Sequence, residues 1–66
     1  VQAHQLRVVE EKKQLDEKIE ALYDFIVVFQ GFFETFPKDE QERLKRQLEI
    51  MKQYSEILEE RIKHFN

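Results

Sequence analysis

The sequence predicts an all-α protein, an antiparallel two-helix hairpin of coiled-coil type that assembles into a homo-oligomeric helical bundle. Three observations predict it. Two segments, each about 30 residues long and rich in Glu, Lys, Gln, Leu and Arg, carry apolar residues at heptad spacing. The single Gly and the single Pro of the chain both fall between them, at Gly31 and Pro37. Finally, the apolar surface on both segments is wider than one hairpin can cover. One domain is expected over residues 1–66, with a helix over about 3–30, a loop over about 31–37 and a second helix over about 38–65.

In the first segment Val8, Lys12, Leu15, Ile19, Leu22, Ile26, Phe29 and Phe33 step alternately by four and three, a seam with one polar member. Its end is ambiguous. The stretch FIVVFQGFF, residues 25–33, holds four of the six Phe in the chain, and its β-branched and aromatic residues also suit a strand. The heptad register runs through it unbroken and a lone strand would have no partner, so helix is the expectation, closed by a glycine C-cap near Gln30–Gly31. In the loop, Pro37 fits the first position of the next helix.

The second segment has a cleaner seam of Leu44, Leu48, Met51, Ser55, Leu58, Ile62 and Phe65. Asp39, Glu40 and Glu42 gather at its start and Arg61, Lys63 and His64 at its end, as the helix dipole favours. Asp39–Arg43, Glu42–Arg46 and Glu59–Lys63 add i,i+4 pairs. At 1.5 Å per residue each helix runs about 40 Å, and two equal helices joined by a short loop fold back as an antiparallel hairpin.

One hairpin leaves apolar surface over. On the second helix, Ile50, Tyr54 and Ile57 form a stripe about 110° away from the seam. Near the end of the first, apolar side chains point in nearly every direction, which marks a buried helix. A chain of 66 residues buries only a modest share of its surface, and with no Cys it has no disulfide or thiolate metal site to add. Association is the remaining route. Phe25, Ile26, Val28, Phe29, Phe32 and Phe33, together with Ile50 and Ile57, are therefore expected at an oligomer interface. The competing reading is a patch for a foreign protein or an apolar ligand.

Charged residues make up 38% of the chain and the net charge is −3, so neither nucleic acid nor an anionic membrane is an expected partner. The longest apolar run falls well short of the roughly 20 residues that span a bilayer. No signal-peptide pattern opens the chain, and a cytoplasmic protein is expected. Catalysis finds no support either: there is no Cys, no glycine-rich phosphate loop and no metal-binding signature. Ser55, on the seam with no His within a helical turn, reads as a small polar residue that fixes register. His4, His64 and Glu60 share the open end, but His64 points off the seam, and no metal or cofactor is expected.

Arg43, Tyr54 and Arg61 are the candidate binding residues. The two arginines lie five helical turns apart on one line, beside Ile50, Tyr54 and Ile57. Guanidinium groups flanked by an aromatic suit an anionic ligand or a carboxylate-bearing partner. They equally suit arginines that lay their stems over apolar surface and pair with Glu on a neighbouring subunit.

The stretches HQLRVVEEKKQLDEKIEALYDFI and EQERLKRQLEIMKQYSEILEERIKHF also resemble a family of short helical-hairpin accessory proteins of tailed phages and prophages. The likeness rests on Arg7, Val8, Val9, Glu11, Lys12, Leu15, Asp16 and Lys18, on Phe25 and Ile26, and on Leu44, Gln47, Met51, Tyr54, Leu58, Arg61, Ile62 and Phe65. Pro37 departs from it, standing where a Ser-like cap is expected. The resemblance implies a phage accessory protein in the bacterial cytoplasm and brings no functional residues with it. Two functions follow. One is a non-enzymatic oligomer that counters host defence by capturing an anionic nucleotide-like signal or a host defence protein. The other is a structural or adaptor oligomer with no ligand.

Overall fold

A computed structural model describes residues 2–65; the outermost residue at each end of the expected domain lies outside the described residues. Helix α1 spans Ala3–Val27, a short helix α2 spans Gln30–Phe33, and α3 spans Lys38–Lys63. α1 and α3 pack antiparallel along their length, in a rod measuring 47 × 16 × 14 Å.

Both long helices begin where the sequence supplies partners for free backbone donors. The Gln2 N–H donates to Gln5 Oε1 at 3.0 Å, so α1 opens on a local side-chain bond. Pro37, extended at ψ 147°, is the N-cap of α3 and not its first helical residue. Asp39 Oδ1 accepts the Glu40 N–H at 3.0 Å, and both carboxylates sit in the first turn, where the helix dipole favours them.

The core is an aliphatic zipper. Val8, Leu15 and Leu58 are buried at its centre, with Ile19, Met51, Ile62 and Phe65 packed around them. Leu48 and Phe33 extend the buried line toward the loop. These are the expected seam residues, and Leu58, fully buried, is the best-covered side chain.

The loop end departs from the expected outline. The first helix does not run to residue 30. The N–H groups of Val28 and Phe29 both donate to the Asp24 carbonyl, and Phe29 leaves helical geometry at φ −101°, ψ 40°. This break turns Phe29 out of the seam into solvent, and α2 then returns Phe33 to the core. Gly31 is not a C-cap: it lies inside α2, and no glycine has positive φ. The chain turns instead at residues 34–37. There Thr35 Oγ1 donates to the Phe32 carbonyl at 2.6 Å, and Gln41 Nε2 donates to the carbonyls of Phe36 at 2.7 Å and Glu34 at 3.3 Å. Under the turn, the Phe25 ring meets Phe32, Phe33 and Phe36 edge-on at centroid distances of 5.8, 5.9 and 5.5 Å.

Candidate functional site

The residues proposed for assembly divide into two groups. Phe33 is only 3% exposed and Phe25 and Ile26 are half-buried, all against the chain's own atoms. Phe33 in particular is a core residue and not an interface residue, because α2 swings it under the turn. Val28, Phe29 and Phe32 are exposed, and Val27 joins them, so the hairpin tip carries several uncovered apolar side chains.

The outer face of α3 is the second uncovered surface. Ile50, Tyr54 and Ile57 are 60%, 42% and 54% exposed. With Arg43, Gln47 and Arg61 they repeat the four-and-three spacing of the inner seam, so α3 carries a second, solvent-facing heptad stripe. Arg43 and Arg61 bracket it about 27 Å apart, from the helical rise. No small ligand touches both within one chain.

The two arginines are also unequal. Arg43 Nε donates to Glu40 Oε1 at 2.8 Å, and its Nη2 lies 3.3 Å from Asp39 Oδ2. The hydrogen bond to Glu40 in the first place, and the Asp39 carboxylate after it, raise the guanidinium's proton affinity further. Arg61 has no ion-pair partner among the described residues. Tyr54 lies two turns from Arg61, about 10 Å along the same face. The structure thus brings Tyr54 and Arg61 onto one stretch of surface and leaves Arg43 at the far end, tied to its own acidic neighbours.

A feature that sequence reasoning missed lies between the helices. Ser55 Oγ donates to Asp16 Oδ1 at 2.5 Å, and Lys12 Nζ donates to Asp16 Oδ2 at 2.6 Å and reaches Glu59 Oε2 at 3.6 Å. The hydrogen bond from Lys12, followed by that from Ser55, holds the Asp16 carboxyl below its ordinary range. Asp16 chiefly raises the Lys12 ammonium in return. The available signal was the pair of polar interruptions, Lys12 in one seam and Ser55 in the other. Lys12, Asp16 and Glu59 of this layer line an open groove of about 470 Å³, together with Val9, Ile62 and the charged Lys13, Glu17 and Glu20. A second groove of about 330 Å³ near the turn is lined by Ile26, Phe33, Gln41 and Lys45, with the Lys45 ammonium 5.9 Å from the Phe33 ring centroid.

At the open end His64 Nδ1 bonds the Glu60 backbone carbonyl at 2.7 Å, one turn back on its own helix. No helix among the described residues is long and apolar enough to cross a membrane.

The family model Sequestin matches residues 2–64, nearly the whole hairpin, and the chain belongs to that family. No curated protein and no solved structure matches the chain.

Proposed function

We propose that this Sequestin-family chain is a non-enzymatic, homo-oligomeric binding protein that captures an anionic, nucleotide-like ligand at the junction between copies. The observation that carries the reading is the exposed heptad stripe on α3, with an arginine at each end. The stripe is its own reverse. Turning the helix end for end about Lys52 exchanges Ile50 with Tyr54, Gln47 with Ile57 and Arg43 with Arg61. Two copies of α3 packed antiparallel therefore cover each other's apolar positions in the a-to-d pairing of a coiled coil. The same packing sets Arg43 of one copy beside Arg61 of the other, twice per pair of copies.

Like charges brought together at a partly dry interface repel unless an anion lies between them. The paired arginines thus define two symmetric places for phosphate or carboxylate groups, each with a Tyr54 ring about two turns away. Arg61 is the stronger candidate for the ligand contact, because Arg43 already has Asp39 and Glu40. The exposed tip residues Val28, Phe29 and Phe32 are the natural second self-contact, which would extend such pairs into a larger bundle. The family name fits a capturing role, and together with the resemblance to phage accessory proteins it favours a protein that withdraws a host defence signal in the bacterial cytoplasm. A host defence protein is the alternative cargo.

A structural oligomer without ligand is the second reading, and the acidic partners of Arg43 favour it, since they can neutralise the junction without an external anion. Native mass spectrometry of gently purified protein separates the two. Capture predicts a single oligomer carrying a few hundred daltons per site, lost in Arg61→Ala while the assembly persists. An empty oligomer whose assembly depends on Arg43 and Arg61 returns both arginines to a structural role.

A further inference from the structure

We infer that the Asp16–Ser55 hydrogen bond, backed by the Lys12–Glu59 pair, is a register lock that selects the turn at 34–37 over a competing turn at Gly31. Both seams are heptad repeats, so sliding one helix by seven residues keeps apolar positions facing apolar positions. The short connection does not forbid the slide. A one-heptad shift of α3 moves the midpoint of the hairpin from the 34–37 turn to about Phe32, beside the only glycine of the chain. Glycine commonly closes a helix, yet here it sits inside α2. It has no positive φ, and apart from its chain neighbours and its own helix backbone no atom lies within 4 Å of the place where a Cβ would stand. Nothing in the observed fold requires a glycine there, whereas the slipped hairpin would use one.

The polar layer distinguishes the two arrangements. In the observed register Asp16 faces Ser55 and Lys12 faces Glu59, so both seam polar groups are bonded across the helices. The slip toward Gly31 sets Asp16 opposite Leu48 and Lys12 opposite Lys52, leaving a carboxylate without a cross-helix donor and two ammonium groups in apposition. The opposite slip sets Asp16 against Ile62 and Ser55 against Tyr23. A polar residue at a single seam position is a known way to fix the alignment of paired helices. The charged groups around the layer, Lys13, Glu17 and Glu20, all lie on α1 and move with Asp16, so they do not discriminate between registers.

The test reads the register directly. The chain has no Cys, so nitroxide labels on Lys18→Cys and Gln53→Cys, two exposed positions nearly opposite each other, report one intrachain distance when diluted with unlabelled protein. The otherwise native chain should give a single narrow peak. Asp16→Leu/Ser55→Leu, which makes both positions apolar, should add a second peak from helices displaced by about 10 Å. Adding Gly31→Ala should then shrink that second peak about fivefold, the ratio a glycine-to-alanine change inside a helix carries. A single unchanged peak in the folded double-leucine protein overturns the lock. If that protein loses its helicity, Ser55→Ala is read in the same way: a second peak supports the lock, and a lone native peak overturns it. Asp16→Asn, which keeps an acceptor for Ser55, should restore the single peak.

Discussion

The two faces of α3 carry the same spacing and opposite fates. On the inner face Leu48 and Leu58 are buried against α1, while one residue round the helix Ile57 is more than half exposed. The inner face has α1 as a partner within the chain; the outer face has none. Heptad spacing therefore shows that a face is built to be covered, and leaves open what covers it. The outer stripe adds something the inner one lacks, a cation at each end, and this is why it is read as both an assembly surface and a binding surface.

The comparison breaks most sharply at two adjacent residues. Leu58→Ala opens a cavity at the best-buried position of the core and should destabilise the fold by about 3 kcal/mol, within the range for buried leucines. In urea or thermal unfolding that loss should appear at every protein concentration. Ile57→Ala removes a similar volume from the exposed face and should leave the unfolding of dilute protein within about 0.5 kcal/mol of the original. Its effect should appear in sedimentation, as a shift toward smaller species. If Ile57→Ala leaves the sedimenting species unchanged, the outer face is not the self-contact.

Most of this contrast was legible in the sequence, because helix formation, the inner seam and the surplus stripe all follow from residue spacing that local geometry preserves. The loop end was not. Phe29 was placed on the seam by counting, and counting fails where the helix breaks between Val28 and Gln30. Gly31 looked like the terminator, but tertiary packing of Phe33 and the hold of Gln41 on the Phe36 carbonyl placed the turn later. Likewise, Ser55 was recognisable as a register residue, whereas its partner Asp16 lies just off the seam and becomes a neighbour only once the helices are aligned. The line of Arg43 and Arg61 was visible, but the ion pairs that separate their roles depend on side-chain rotamers.

A second pair of substitutions tests the same contrast at the tip. Phe25 is half-buried and contacts three rings, so Phe25→Ala should cost about 2 kcal/mol, less than a fully buried Phe because part of the ring is already in water. Phe29→Ala should barely change the stability of the isolated hairpin and should weaken association, measured by the concentration dependence of the melting temperature. Equal losses in dilute protein from the two changes would mean that Phe29 packs inside the fold. The arginines come next in size. Arg43→Ala removes exposed helix-surface pairs with Asp39 and Glu40 and should move the chemical-denaturation midpoint only slightly, with Arg61→Ala moving it less.

The effect at the polar layer between the helices depends on pH. Bonds from Lys12 and Ser55 stabilise the charged form of Asp16, so its folded value lies below the 3.8 of an unperturbed carboxyl. A group lowered in this way contributes stability that is fully present above the unfolded value and is lost as pH falls through the folded one. Lys12 behaves oppositely. Raised above 10.5 chiefly by its bond to Asp16, it contributes stability that is complete below that value and lost as pH rises through the higher folded one. Between these limits the pair's contribution is flat. Because nearly half of the Asp16 side chain is open to solvent, that contribution is below about 1 kcal/mol. Carbon-detected NMR titration of the Asp16 carboxyl should give a midpoint below 3.8, moving upward in Ser55→Ala as one of its two donors is lost. The inner face of α3 would then be joined to α1 by a hydroxyl that senses the carboxylate across the seam. An unmoved midpoint would leave Lys12, on the same helix as Asp16, as the sole cause of the shift and would strip the seam of its cross-helix polar contact at Ser55.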